Sequence, residues 1–251
     1  MLIMGILNVT PDSFADGGKH NEFDAALARG LEMIEEGVDI IDIGGESTRP
    51  GADRVSEAEE LARTIPVITE LAKHGVKVSI DTMRASTAEA AINAGASIIN
   101  DVSGGLADPL MLQTAARMKV PYIAMHWRGQ SKDMNSKAIY ADVVKDVISE
   151  LQERITAALD AGINPNNLIV DPGLGFAKDA HHNWAIIDAA DDFVAMGYPV
   201  LIGASRKRFL GGDSPDEREQ ATIDLTKRLA PTGVWAVRVH SVKPHKEVLS
   251  R

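Results

Sequence analysis

Polar side chains follow nearly every one of eight short apolar runs that are rich in Ile and Val. Parallel strands in a closed barrel bring their carboxyl ends to one rim, where side chains from different strands converge. We therefore expect the residues that follow the runs to meet at such a rim. They are Asn8, Asp81, Asn100, Asp101, His126, Asp171, Ser205, Arg206, Lys207, Arg238 and His240.

Four of these residues, from four separate runs, form one set of hydrogen-bond acceptors and donors. They are Asp81, Asn100, Asp171 and Lys207. Four such groups at one depth are too many to bury without a polar ligand. Acid and amide groups with one lysine suit a flat heterocycle that carries ring N–H donors and a carbonyl. For single residues the alternative is structural: Asp81 and Asp101 could cap the following helices, and Asn8 could hold a turn.

A second set of residues is cationic. Arg49, Arg238 and His240, with Asn8 as an uncharged oxygen ligand, would form an anion site in a protein whose net charge is −10. Arg binds phosphate oxygens in a bidentate fork, and phosphate sites commonly lie near the last strands of barrels. Arg238 and His240 are two residues apart, so they point the same way from one strand. The alternative is that Arg238 forms a salt bridge with a neighbouring acid.

The elements that must position these residues repeat along the chain. The eight runs are Leu2–Leu7, Val38–Ile43, Val76–Ile80, Ser97–Ile99, Val120–Met125, Leu168–Val170, Val200–Gly203 and Val234–Val239. Each is followed by a turn and a helical pattern, and 251 residues over eight cycles gives about 31 per cycle, the length of a strand–helix–strand unit. The pattern predicts one α/β domain over residues 1–251, a TIM (β/α)8 barrel rather than an open doubly wound sheet.

Capping signals place several helices between the runs. Ser56 with Glu59 three residues later is a capping-box pattern at a helix start. The longest predicted helix covers residues 142–161, has one apolar face and stops at a glycine. Few residues remain after the eighth run, so we expect a short last helix. His181 and His182 are predicted to be surface residues at a helix start.

Composition excludes several classes of function. The net charge of −10 and pI near 5.2 would repel a polyphosphate backbone, so we expect no nucleic-acid partner. The chain has no cysteine, which excludes disulfides, thiolate catalysis and cysteine-based metal sites. The longest apolar runs are far short of a membrane span, so we expect no membrane partner. We expect a cytoplasmic protein.

Two long, polar, glycine-rich loops begin at the predicted rim, at residues 8–18 and 44–51. Long loops at a barrel mouth commonly form lids and sites for a second substrate. Closure of such loops would exclude water from a reactive intermediate.

These segments together resemble the dihydropteroate synthase family of the folate pathway. The matching strings are GILNVTPDSFADGG (5–18), DIGGESTRPG (42–51), SIDT (79–82), IND (99–101), MH (125–126), DPGLGF (171–176), SRK (205–207) and RVH (238–240). They span nearly the whole chain in the family's order, which is far more specific than any single motif.

The resemblance implies a TIM barrel, a homodimer and a transferase. It implies that 6-hydroxymethyl-7,8-dihydropterin diphosphate is joined to p-aminobenzoate with the help of Mg²⁺, and that diphosphate is released. The implied pterin-binding residues are Asp81, Asn100, Met125, Asp171 and Lys207, with Asp81, Asp171 and Lys207 as the catalytic residues. The diphosphate would be held by Thr48, Arg49, Arg238 and His240, the metal by Asn8, and p-aminobenzoate by Asp16, Phe176 and Ser205.

The chain departs from the family pattern at two positions. Ser241 stands where the family usually has Asp after the Arg-Val-His triplet, and Arg208 follows the lysine where many members have Ser. Two other functions remain open: a methyltetrahydrofolate methyltransferase, which would not need the cationic set, and a non-catalytic pterin-binding paralogue, in which we would expect loss in the two long loops.

Overall fold

Eight parallel strands alternate with helices along the part of the chain that the computed structural model describes, residues 1–10, 19–46, 54–130 and 134–250. The strands are β1 (Leu2–Asn8), β2 (Ile40–Gly44), β3 (Lys77–Asp81), β4 (Ile98–Asp101), β5 (Tyr122–Met125), β6 (Leu168–Asp171), β7 (Leu201–Ile202) and β8 (Ala236–Val239). Each lies within or next to one of the predicted apolar runs, and the bounds differ by a few residues at most.

The sheet closes on itself. Neighbouring strands pair in parallel in the order β6-β5-β4-β3-β2-β1-β8-β7. The two ends meet through a parallel bridge between Val170 and Val200, beside which the Val170 N–H donates to Pro199 O at 2.9 Å. The predicted TIM barrel is therefore confirmed.

Helices surround the barrel within the described ranges. They are α1 (Lys19–Glu35), α2 (Glu57–Ala72), α3 (Ala85–Asn93), α4 (Met111–Met118), α5 (Val143–Asp160), α6 (Ala180–Asp188), α7 (Ala190–Val194), α8 (Glu219–Leu229) and α9 (Lys243–Leu249). The Ser56 side chain caps α2 by accepting from the Glu59 N–H, as predicted, and Asp142 caps α5 in the same way. None of these helices combines the length and apolar character that crossing a bilayer requires.

An apolar plug fills the lower part of the barrel. It contains one buried residue from each of seven strands: Met4, Ile40, Ile98, Ile123, Ile169, Leu201 and Ala236. Because side chains two residues apart in a strand share a face, the residues two positions further along also point into the barrel, one layer closer to the carboxyl-end rim. The plug therefore forms the floor of any site at the carboxyl-end rim.

Asp101, at the end of β4, points out of the barrel instead. Its carboxylate is buried and accepts hydrogen bonds from the Ser103 N–H and hydroxyl, the Gly105 N–H and the Tyr122 hydroxyl. Burial raises the pKa of Asp101, and the hydrogen bonds oppose that rise. Asp101 therefore has a structural role, as the alternative for this residue proposed. It stabilises a turn, however, and does not cap a helix.

Tyr122→Phe should destabilise the protein by about 1–3 kcal/mol, because the buried Asp101 carboxylate loses one of its donors. Chemical denaturation measures this change in the free energy of unfolding, and Tyr198→Phe, at a partly exposed tyrosine, is the matched control. A stability equal to that of the unsubstituted protein would show that the Tyr122 hydroxyl contributes nothing.

Candidate active site

A polar layer lies directly above the apolar plug. The inward-facing positions two residues beyond the plug are Ile6, Asp42, Asn100, Met125, Asp171, Gly203 and Arg238. Four of these seven residues are charged or carry an amide, and each of those four comes from a different strand. The barrel therefore changes from an apolar to a strongly polar interior within one layer, which is the arrangement of a ligand site at the carboxyl-end rim.

Asp42 is the centre of this layer, and the sequence analysis did not assign it a role. It is fully buried, and its Oδ2 accepts from Asn100 Nδ2 at 2.9 Å and from Arg238 Nε at 2.6 Å. Because the Asn100 amide nitrogen donates to Asp42, the amide oxygen remains to accept from a ligand N–H. The sequence signal for Asp42 was an acid among the apolar residues Ile40, Ile41 and Ile43.

Arg238 is held between two carboxylates. In addition to the bond to Asp42, its Nη2 donates to Asp81 Oδ2 at 2.7 Å. Burial raises the pKa of Asp81 to about 7, while the guanidinium acts in the opposite direction. The salt bridge considered as an alternative for Arg238 therefore exists, and it joins the arginine of the predicted anion set to the acid of the predicted ring set.

Asp171 and Lys207 lie on the opposite side of the barrel mouth. Asp171 Oδ1 accepts from the Gly173 N–H at 2.7 Å, and Lys207 Nζ donates to Leu174 O. Burial lowers the pKa of Lys207 to about 8, against the favourable charge of Asp171. Burial has the opposite effect on an acid, and it raises the pKa of Asp171. The structure thus brings all four residues of the predicted ring set to one mouth.

A small apolar surface borders these polar groups. Met125 packs with Met83 and Val102, and Phe176 lies against that cluster. The Lys207 ammonium is 4.9 Å from the centre of the Phe176 ring, a cation–π contact. A flat ligand at the mouth would meet polar groups at its edge and Met125 at its face.

Ser205 and His240 form a hydrogen-bonded pair at the end of β7 and β8. The His240 N–H donates to the Ser205 oxygen at 3.2 Å, and the hydroxyl lies 2.9 Å from His240 Nδ1. A hydroxyl can donate to a ring nitrogen or accept from a ring N–H, so the pair is compatible with a His240 tautomer that carries its proton on Nε2 and donates it to an anion.

Asn8 closes the mouth on the side of β1. A Cβ placed on Gly44 would lie 3.7 Å from both Asn8 Oδ1 and Asp81 Oδ2, so glycine keeps open a point that two oxygen atoms face. Amide and carboxylate oxygens are the ligands that Mg²⁺ prefers, and Mg²⁺ commonly takes its other ligands from water and phosphate. The residues present therefore fit that metal ion.

Glu219 lies beside Ser241, which stands where the family usually has Asp. The Ser241 hydroxyl donates to Glu219 Oε1, and Glu219 Oε2 accepts from Arg206 Nε at 2.6 Å. Burial raises the pKa of Glu219, but hydrogen bonds to His245, Ser241 and Arg206 outweigh it and lower the pKa to about 2. A carboxylate from α8 thus ties Ser241 to the Ser-Arg-Lys segment. Arg208, the second departure, is exposed.

Three predicted site residues lie outside the described part of the chain, and one prediction of a surface residue is wrong. Asp16, Thr48 and Arg49, with most of the two long loops, lie outside the described residues. The prediction that His182 is a surface residue is wrong: it is buried, and its Nδ1 accepts from the Asp179 N–H to complete the cap of α6, whereas His181 is exposed.

Comparisons with known proteins identify the family of this chain. Residues 4–240 match the model of the family described as pterin binding enzyme. The chain is 48% identical to a dihydropteroate synthase from Mycobacterium leprae, over 98% of this chain and 90% of that protein.

Solved structures give the same result. A Xanthomonas albilineans dihydropteroate synthase with 4-aminobenzoic acid matches with a TM-score of 0.93 and 42% identity, over 99% of this chain and 90% of that one. The same organism's enzyme in complex with 7,8-dihydropteroate matches with a TM-score of 0.90 and 39% identity, over 99% and 91%. The chain therefore belongs to the pterin binding enzyme family, and within it to the dihydropteroate synthases.

Proposed function

We propose that this chain joins 6-hydroxymethyl-7,8-dihydropterin diphosphate to p-aminobenzoate, giving 7,8-dihydropteroate and diphosphate. The observation that carries the proposal is the polar layer above the apolar plug, in which Asp42 orients Asn100 and Arg238 while Asp81, Asp171 and Lys207 face the same mouth. The comparisons support the reaction class, and the assignment of roles to residues is part of the proposal.

The pterin ring is assigned to the four polar residues and Met125. Asp81 and Asp171 would accept ring and amino N–H donors, the Asn100 oxygen would accept a further one, and Lys207 would donate to the ring carbonyl. Met125 would pack against the ring face. Each group is buried or nearly so, which makes its hydrogen bonds to a ligand stronger than they would be in water.

The diphosphate is assigned to the cationic side of the mouth. His240 and Arg238 would bind it, and Thr48 and Arg49 would complete the set that the resemblance implies. Asn8 would hold Mg²⁺, which supplies positive charge that neutralises the leaving diphosphate when bound. Without neutralisation the diphosphate is a poor leaving group, so these cations act on the step in which the C–O bond breaks.

We propose a dissociative route with no covalent enzyme intermediate. The diphosphate leaves with the electron pair of the C–O bond, and the methylene carbon becomes cationic with its charge spread into the ring. Asp81 and Asp171 would stabilise that charge. The amine of p-aminobenzoate then attacks the methylene and loses a proton. Phe176 would pack against the incoming ring, with Ser205 and Asp16 as the other residues implied for that substrate.

Diphosphate release tests the proposal. With the dihydropterin diphosphate and Mg²⁺ present, release should depend on added p-aminobenzoate, yield dihydropteroate and be blocked by a sulfonamide. A methyltransferase or a non-catalytic paralogue would show no response to p-aminobenzoate. That result would overturn the proposed function.

The pH dependence should identify Lys207. Because its pKa is about 8, Lys207 is a cation below that pH and loses its proton above it, so kcat/KM should fall as the pH rises through about 8. Lys207→Arg keeps a positive charge at higher pH, so its residual activity should not show this fall. The same alkaline fall in both proteins would contradict the assignment.

Two further expectations remain proposals. We propose a homodimer, which the family resemblance supports, and analytical ultracentrifugation should give twice the chain mass of 26.9 kDa. We also propose a cytoplasmic location, which the absence of cysteine permits and which cell fractionation would test.

A further inference from the structure

A buried lysine that the site assignment does not use lies behind the mouth. Lys178 is only 8% exposed, in the loop between β6 and α6. Its Nζ donates to His126 Nδ1 at 2.9 Å, to Gly173 O at 3.0 Å and to Phe176 O at 3.1 Å. An ammonium group has three N–H donors, and each has one acceptor here. These bonds offset only part of the cost of burial, which lowers the pKa of Lys178 to about 7.

Two of these contacts hold the loop together, and the third ties it to the end of β5. Gly173 O and Phe176 O belong to the loop itself, whereas His126 directly follows β5. The His126 N–H also donates to Asp171 O at 2.8 Å. A Cβ on Gly173 would lie 2.4 Å from His126 O, and Gly173 has a φ of +69°, so the loop approaches His126 as closely as only glycine allows. Lys178 therefore fixes the loop at its point of closest approach.

His126 is oriented in turn from α5. Its Nε2 lies 2.9 Å from Glu150 Oε2, and Glu150 is paired with Arg128. Because Nδ1 accepts from Lys178, Nε2 carries the proton and donates to Glu150. Burial and the nearby Lys178 charge lower the pKa of His126 to about 4, which keeps the ring neutral and able to accept.

The loop that Lys178 holds carries parts of the proposed site. Leu174 O, between the two carbonyls bound by Lys178, accepts from Lys207 Nζ, and the Phe176 ring lies beside that ammonium. The Gly173 N–H donates to the Asp171 carboxylate. A shift of this loop would therefore move Phe176 and the anchor of Lys207 together.

We propose that Lys178 is a positioning residue of the reaction: by joining Gly173 O and Phe176 O to His126, it holds Phe176 where p-aminobenzoate binds, and it holds the anchor of Lys207 beside it. This inference rests on the proposed function. Displacements of about 1 Å can reduce a rate by about 100-fold, so the loss should be kinetic as well as structural.

Steady-state kinetics with both substrates test the inference. Lys178→Met keeps the length of the side chain and removes all three donors. It should lower kcat/KM for p-aminobenzoate by about 10- to 100-fold, chiefly through a higher KM, with a smaller change in the KM for the dihydropterin diphosphate. Glu150→Gln, on α5, weakens the acceptor of His126 together with the ion pair to Arg128, and should raise the same KM to a lesser degree. Lys246→Met is the matched control, because Lys246 pairs with Asp39 at the opposite end of the barrel; its KM values should be unchanged.

The outcomes separate the two claims. If the unsubstituted protein forms no dihydropteroate, the proposed function fails and the inference with it. If it is active and both Lys178→Met and Glu150→Gln keep its KM for p-aminobenzoate, the inference alone is wrong. A merely structural role would reduce the amount of folded enzyme, and so kcat, but would leave KM unchanged. If Lys178→Met does not fold, an unchanged KM in Glu150→Gln still overturns the inference.

Discussion

Asp81→Asn will lower kcat by about 100- to 1000-fold, the loss observed when one preorganised electrostatic contact to a transition state is removed. The substitution keeps the shape of the side chain and removes the negative charge that would stabilise the cationic methylene. Diphosphate affinity should change less than kcat, because Arg238 keeps its bond to Asp42 when the Asp81 charge is lost. Product formation gives kcat, and calorimetry with diphosphate and Mg²⁺ gives the affinity.

The control for this variant is Asp188→Asn, at an exposed aspartate on α6 that pairs with the exposed Arg228. It should leave kcat unchanged. Turnover of Asp81→Asn equal to that of the unsubstituted enzyme would count decisively against a role for this carboxylate in catalysis.

Arg238→Ala will have a second large effect, on both activity and stability. From the sequence alone, this change is expected to weaken diphosphate binding and to leave pterin binding nearly intact. The structure revises that expectation, because the guanidinium also holds Asp42 and Asp81. Pterin affinity should therefore fall as well. Leaving one partner of a buried pair without its counter-ion costs about 3–5 kcal/mol of the free energy of unfolding.

Denaturation and calorimetry measure these losses. The control is Arg228→Ala, which removes the exposed ion pair with Asp188. It should change the free energy of unfolding by about 0–1 kcal/mol, so the two variants compare the loss of an exposed arginine with the loss of a buried one. An Arg238→Ala protein with normal pterin affinity would show that Asp42 and Asp81 keep their positions without it.

The barrel could be predicted from the sequence because its determinants are local and repeated. Each apolar run is rich in β-branched residues, and each is followed by a turn and a helix of sufficient length for a parallel crossover. The capped start of α2 at Ser56 is a signal of the same local kind. The positions of Asp81, Asn100 and Asp171 followed from the fold, since they come at the ends of three different strands.

Other features could not be predicted, because they depend on which face of a strand a residue occupies and on distant partners. Asp42 lies within a run, and only the parity shared with Ile40 shows that it points into the barrel. Nothing local distinguishes the inward Asn100 from the outward Asp101 that follows it. The burial of Lys178 depends on a histidine 52 residues earlier in the chain.

Charge balance explains why the site needs both kinds of residue. The three acids Asp42, Asp81 and Asp171 face the interior with two cations, Arg238 and Lys207. Charges in a medium of low polarity are stable only when they are paired. The layer therefore carries one acid more than it has cations, which suits a ligand that brings N–H donors and becomes positively charged during the reaction.

A crystal structure with a bound dihydropterin tests the central claim most directly. The account predicts the ring at the barrel mouth, with its N–H groups on Asp81, Asn100 and Asp171, its carbonyl on Lys207 and its face on Met125. A ring bound anywhere else, or bound there with no contact to these carboxylates, would contradict it.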